Sequence, residues 1–425
     1  MTDAADAGRS DAGLGVRLSH RSLWLPLAVA LASRLLLLGV GFLATSLRGT
    51  LSVSHAQHAP ARLLYRGALA HLLNGWTNWD GQWYLRIASA GYAVPHSQAF
   101  FPLYPLLVGL SARGTGASYE LAGIALSWAC FVGAAVLLYS LTAALLDERV
   151  ALLSVVFLAI APTSLFFGAV YTESLFLLFA LACFWFAQRR RWALAGLMGL
   201  LAALTRSAGV LLVLPLILLY GQAVEWQWHR IRAGLLAVLL VPCGTLVYMA
   251  YLWRRFGDPL LFQKAEAHWR QAALPYVTVW RGLKAGCWAG VWLLTGRRPW
   301  SAPPHPLSPA GYHSYLLQVQ QRAVASLVAV LALALVVTLI VAGWRRLPAA
   351  YTVFAVAVVT LPLFTTTRLE PLNAYPRYVA VAFPLYMALA CLTVHRPWLR
   401  YVAIAACLAG LVWLTVGFVH FEWVA

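Results

Sequence analysis

Long apolar runs, interrupted by arginine clusters and by a few polar, aromatic-rich stretches, set the pattern of this chain. A run of about 20 apolar residues crosses a bilayer as a helix, whereas barrel strands read as short alternating segments. The first run, 23–47, follows Arg17, His20 and Arg21. Basic residues mark cytoplasmic span ends, so the N-terminus is expected in the cytoplasm and the next loop outside. The run is too long for a signal-peptide core, and no small-residue cleavage site follows it. Further apolar runs occupy 119–146, 150–168, 175–187, 233–253, 323–343, 348–364, 376–394 and 398–418, and Arg189-Arg190-Arg191 is the strongest cytoplasmic marker. Taken as one helix, 192–220 would place the basic groups at 229–232 and 344–346 outside. Two short helices broken near 205–209 place them inside and bring Arg206 to the external face.

The pattern predicts an all-α polytopic membrane protein of about ten or eleven transmembrane helices. Three external loops, about 48–100, 254–321 and 365–375, converge on one side. Weakly amphipathic pieces at 60–73 and 83–90 predict interfacial helices; in the second, Trp83, Ile87 and Ala90 share a face. The stretch 100–110 is apolar but short, with two prolines, and reads as a half-span or a dip into the headgroups. Residues 1–20, rich in Ala, Gly, Asp and Ser, read as a disordered cytoplasmic tail, and 21–425 as a single transmembrane domain without visible internal repeats.

Composition agrees: 62% of the 425 residues are hydrophobic and 10% charged, with mean hydropathy +0.76, against roughly a quarter charged in soluble domains. The net charge of +18, from 31 Lys+Arg against 13 Asp+Glu, would suggest nucleic acid in a soluble protein. Here the arginines sit at span ends, where the positive-inside rule and anionic headgroups account for them, and no nucleic-acid partner is expected. Five of the six cysteines fall in apolar runs, without CxxC or Cys/His spacing, so neither a disulfide framework nor a zinc site is expected. No HExxH, Walker A loop, GxGxxG after a strand or nucleophile elbow is present, which disfavours soluble nucleotide chemistry.

The polar stretches carry the candidate chemistry. The first, 78–105, reads NWDGQWYLRIASAGYAVPHSQAFFPLYP. Asp80 within it is either the cap of an interfacial helix or, between Trp79 and Gly81, a carboxylate suited to general-base work on a hydroxyl. Glu173, in the corner Tyr171-Thr172-Glu173-Ser174, is either a helix-dipole partner with Thr172 as cap or a functional group on the same side as Asp80. Arg206 either snorkels or pairs with an anion, Glu173 or a lipid phosphate. Arg377, with Arg368 as its alternative, poses the same choice, and one or two such arginines would clamp a phosphate. His96 and His268 either hydrogen-bond a sugar or phosphate or are solvated loop histidines.

Taken together, WDGQWYLRIASAGY (79–92), AFFPLYPLL (99–107), YTESLFLLF (171–179) and RSAGVLLVLP (206–215) resemble the PIG-V family. Its members are GPI mannosyltransferase II in eukaryotes and related bacterial membrane mannosyltransferases, within the GT-C glycosyltransferase superfamily. The match runs in consistent order over 78–215, with a weaker echo at Pro376-Arg377-Tyr378. The resemblance implies a GT-C-type bundle and inverting transfer of mannose from a polyprenyl- or dolichyl-phosphate carrier to a lipid-linked or glycan acceptor, without a nucleotide sugar. Asp80 falls on the expected catalytic base, Glu173 on the family's (S/T)E corner and Arg206 on its Arg-Ser-x-Gly corner. Substrate contacts are expected from Trp79, Gln82, Trp83, Tyr92, His96, Glu173, Arg206 and Arg377, the aromatic ones stacking on the sugar ring. The expected partners are membrane lipids, the lipid-phosphate donor and the acceptor. No metal or other cofactor is expected, because the external acids form no DxD motif.

Two positions depart from the eukaryotic pattern. Trp83 stands where histidine is common, and Ala208 where Arg-Ser-Asn-Gly has asparagine. They favour a bacterial glycolipid or glycan acceptor over GPI, in a multi-pass plasma-membrane protein. The many spans with internal prolines also suit a lipid or glycolipid transporter or flippase, but transporters keep their sites near the midplane. An inactive relative serving as a partner subunit is disfavoured by the presence of Asp80.

Overall fold

The computed structural model describes residues 20–48, 67–227, 229, 233–296, 309–367 and 370–422. The tail at 1–19, the start of the 60–73 stretch and Arg368 lie outside the described residues. Helix α1 (His20–Arg48) is followed by a short α2 (Ala68–Leu73), then α3 (Asp80–Ala90) and α4 (Leu103–Thr115). The bundle continues with α5 (Tyr119–Leu145), α6 (Glu148–Ile160), α7 (Glu173–Gln188), α8 (Trp192–Thr205), α9 (Val213–Ala223) and α10 (Leu236–Phe256). Next come α11 (Leu261–Glu266), strand β1 (Gln271–Ala272), α12 (Pro275–Thr295), α13 (Pro309–Gly343) and α14 (Ala349–Thr360). Strand β2 (Thr365–Thr366), α15 (Tyr375–Val379), α16 (Pro384–Thr393) and α17 (Pro397–Val419) complete the order. The architecture is the expected all-α polytopic bundle. Among the described residues, five helices are long and apolar enough to cross a membrane, accompanied by five shorter apolar helices.

Local chemistry sets the boundaries. Ser118 caps α5 by accepting from the Leu121 amide, and Asp147 caps α6 by accepting from those of Arg149 and Val150. Pro162 opens a 3-10 turn after α6, and extended Arg206 (φ −152°, ψ 151°) ends α8 inside the expected break. Gly196 and Gly199 of α8 and Gly244 of α10 let these helices close on each other: a Cβ at Gly196 would strike the Ala237 backbone, and one at Gly244 the Leu200 carbonyl. One apolar core centres on α5, α6, α7, α14 and α16, and a second joins α1, α3, α4 and α17. Arg34 of α1 is fully buried, and its guanidinium donates to Ser164 O (2.8 Å), Ser164 Oγ (2.6 Å) and Ala159 O (3.3 Å). It thereby ties α1 to the turn that follows α6, as a buried charge must find partners.

The described residues of the 254–321 segment hold more regular structure than its Trp-, Pro- and Gly-rich sequence suggests. It holds α11, β1 and α12, and α13 begins within it. Helix α12 was hidden because small residues face its neighbours while Tyr276, Trp280 and Trp288 remain exposed; a Cβ at Gly286 would meet Val330 of α13 and one at Gly282 would meet Leu372. Antiparallel pairing of Gln271 with Thr366 and of Ala272 with Thr365 pins this segment to 365–375.

Candidate active site

The 78–92 stretch starts with an unusual backbone. Trp79 has φ 57°, ψ −119°, a left-handed conformation that L side chains avoid at a cost of about 1–3 kcal/mol. The surroundings hold it there. The Trp79 ring stacks on Phe421 at 4.5 Å, and Asn78 Nδ2 donates to Phe418 O (2.8 Å). The buried Tyr171 hydroxyl donates to Asn78 O (3.1 Å) and accepts from the Asp80 amide (3.2 Å). As a result α3 starts at Asp80 itself, and the Asp80 side chain leaves the helix end instead of capping it.

Asp80 joins a chain of charged side chains from distant segments through one direct partner, Arg377. Arg377 Nη1 contacts Asp80 Oδ2 at 2.6 Å, while Arg377 Nε contacts Glu173 Oε1 at 2.7 Å. Arg206 Nη1 reaches the same Glu173 oxygen at 2.7 Å and also donates to Thr172 Oγ1 (3.2 Å). Each group stands at a helix end: Glu173 opens α7, Arg206 closes α8 and Arg377 lies in the short α15. An acid at a helix N-terminus and a base at a C-terminus also suit the helix dipoles. The Arg377 guanidinium lies 4.4 Å from the Tyr171 ring centre and 5.3 Å from that of Phe166.

Exposure grades the cluster. The Glu173 side chain is 0% exposed, that of Arg377 7%, Arg206 12% and Asp80 30%. Asp80, Arg206 and Arg377 line a cavity of about 260 Å³, walled also by Tyr84, Phe100, Trp269 and Tyr378. Among the described residues Asp80 Oδ1 makes no hydrogen bond to protein, so this oxygen is left without a protein partner beside the cavity. Tyr84 lies against Thr172, and burial, then Glu173 and Asp80, push its phenol up, so it stays neutral. Among the described residues no group of three or more His, Cys, Asp or Glu side chains is placed to hold a metal ion.

Asp80, Glu173, Arg206 and Arg377 thus come together; of these Asp80, Arg206 and Arg377 line the cavity, Glu173 lies buried behind them, and the other sequence candidates do not line it. Trp83 lies behind its wall, stacked on Phe100 and edge-on to Trp269, each at 5.6 Å. Tyr92 donates to Phe100 O (2.7 Å) beside Tyr248 and Tyr251. His96 stacks on His268 at 4.1 Å, joining the first polar segment to the second. Gln82 is half-buried, and Trp79 faces Phe421. Sequence reasoning missed Tyr84, Glu266, Trp269, Arg270, Asn373 and Tyr378, all on the cavity wall. Tyr378 had a signal in the Pro376-Arg377-Tyr378 echo; Glu266 to Arg270 read as one more loop.

The fold and site define a polytopic helical membrane protein with a carboxylate–arginine cluster at joined helix ends, opening on a cavity. Residues 26–223 match the model of the mannosyltransferase (PIG-V) family, to which this part of the chain is similar. It is 33% identical over 208 residues to mouse GPI alpha-1,6-mannosyltransferase 2, covering 43% of this chain and 41% of the relative. With GPI mannosyltransferase 2 of Drosophila pseudoobscura pseudoobscura it shares 31% over 211 residues, covering 44% and 46%. The chain spans less than half the length of these relatives. The Archaeoglobus fulgidus oligosaccharyltransferase crystal structure in the apo form aligns with 92% of this chain and 56% of its own, at TM-score 0.43 and 13% identity.

Proposed function

We propose that the protein is a membrane mannosyltransferase of GT-C type. It moves mannose, with inversion, from a polyprenyl-phosphate carrier to a lipid-linked or glycan acceptor on the external face of the plasma membrane. The observation that carries this reading is Asp80: fixed through Oδ2 by Arg377, 30% exposed, and on the cavity wall with Oδ1 open. The acceptor oxygen attacks the anomeric carbon as its proton passes to Asp80 Oδ1. The carbon–oxygen bond to the phosphate breaks, and the lipid phosphate leaves with the electron pair. That phosphate is a weakly basic leaving group, and the arginine-lined wall supplies the positive field in which its charge gathers. Arg206 and Arg377 contribute to this field, and Glu173 holds both. Trp269, Phe100 and Tyr84 offer the aromatic surface for a pyranose, while Trp83 supports them from behind.

The relatives are named for GPI, but Trp83 and Ala208 keep the acceptor of this chain in the wider class of lipid-linked glycans. The transporter alternative gains no support from a charged cluster gathered at helix ends. The test is donor choice. Purified protein in liposomes is expected to transfer mannose from polyprenyl-phosphate-mannose and not from GDP-mannose. Transfer from the nucleotide sugar, or movement of lipid across the bilayer without transfer, would overturn the reading.

A further inference from the structure

Three arginines, Arg206, Arg270 and Arg377, face the same cavity, but their charges are not equally committed. Arg377 bridges Asp80 and Glu173, and Arg206 is paired with Glu173. Arg270 makes no ion pair with a carboxylate among the described residues. Its Nη2 donates to two neutral carbonyls, Pro362 O at 3.2 Å and Thr365 O at 3.3 Å. Its Nε is buried and has no hydrogen-bond partner. The residue is only 7% exposed. A buried guanidinium with open donors carries a cost that an anion would remove.

Its position is fixed. Arg270 immediately precedes β1, whose pairing with β2 ties it to the 365–375 segment, and its amide donates to Glu266 O at 3.1 Å. Its guanidinium lies 5.0 Å from the Tyr378 ring centre; those of Arg206 and Arg377 lie 5.7 Å from the same ring. The three cations therefore gather around one aromatic side chain, with the uncommitted one on the second loop and Asp80 on the first. Glu266, the nearby acid on the wall, is a poor counterion: burial pushes its carboxyl up, against the pull of Arg270 and Arg206.

We propose that Arg270 is the direct phosphate-binding residue of the cavity and takes the phosphodiester of the lipid-linked donor, while Arg377 orients Asp80 and Arg206 secures Glu173. This assignment rests on the lipid-phosphate reading above. It explains why the second loop is pinned by a strand pair: the cation that receives the leaving phosphate must hold still relative to the base across the cavity.

The test compares binding of a polyprenyl monophosphate with that of the corresponding polyprenol, to full-length protein in detergent, for wild type, Arg270→Gln and Arg270→Lys. Wild type should prefer the phosphate, and Arg270→Gln should lose about 10–100-fold of that preference, the range for a hydrogen bond to a charged group, while binding polyprenol as wild type does. If Arg270→Gln no longer binds polyprenol, Arg270→Lys decides: a reduced but retained preference supports the assignment, and an unchanged one overturns it. A full preference in Arg270→Gln, beside normal mannose transfer by wild type, would overturn Arg270 and leave the donor reading standing. Absence of any phosphate preference in wild type would overturn both. Equal competition by excess phosphatidylglycerol would assign the site to bulk headgroups and overturn the donor assignment.

Discussion

Arg377 touches two carboxylates, and their settings differ in every respect that matters for chemistry. Glu173 is 0% exposed and meets two guanidinium groups through one oxygen; Asp80 is 30% exposed, meets one, and borders the cavity. A carboxylate held by two buried cations is a structural strut, since its charge is what makes burying them tolerable. A carboxylate held at one oxygen and open at the other has its direction fixed and its chemistry free. The sequence places both in aromatic-rich corners and offers no way to rank them. Depth in the structure ranks them.

This contrast can be broken from either side. Glu173→Gln should have the largest effect on folding. It leaves Arg206 and Arg377 buried with one carboxylate fewer, and should destabilise the protein by about 3–5 kcal/mol, read as a lower unfolding midpoint in detergent. Tyr171→Phe acts on the Asp80 side. It removes the hydroxyl between Asn78 O and the Asp80 amide, at a cost of about 1–3 kcal/mol for the groups left unpaired. Turnover should fall more than donor binding does, because Asp80, the base proposed above, is displaced and the binding wall is not; comparing kcat with KM separates the two. Trp83→His should have the smallest effect. It loses ring packing on Phe100 and Trp269 worth about 1 kcal/mol, and leaves donor choice unchanged. A switch of donor or acceptor in that variant would show that Trp83 reaches the substrate.

Much of this was legible in the chain and some was not, for physical reasons. Helices read well because apolar length is a strong signal, and the break near Arg206 followed from the need to keep basic groups on one side. Asp80, Glu173, Arg206 and Arg377 were legible because a charge among apolar residues demands a reason. Their contacts were not: Asp80 and Arg377 are nearly 300 positions apart, and nothing local links them. Trp79, Tyr92 and His96 are aromatic or polar neighbours of Asp80 in the sequence, yet neighbours along a turn point different ways, and these three pack on Phe421, Tyr248 and His268. Arg270 was illegible because its distinction lies in the lack of a carboxylate partner, visible only once the other two arginines are seen to have theirs.

The most direct measurement is mannose transfer by Asp80→Asn protein in liposomes, beside its unfolding midpoint. Asparagine keeps the shape and an oxygen acceptor toward Arg377 and removes only the basic carboxylate. Arg377 keeps its Glu173 partner, so stability should fall by less than in Glu173→Gln, while turnover should fall by about 10²–10⁴-fold, the contribution of a positioned general base. A folded Asp80→Asn protein that transfers mannose at the wild-type rate would contradict the account.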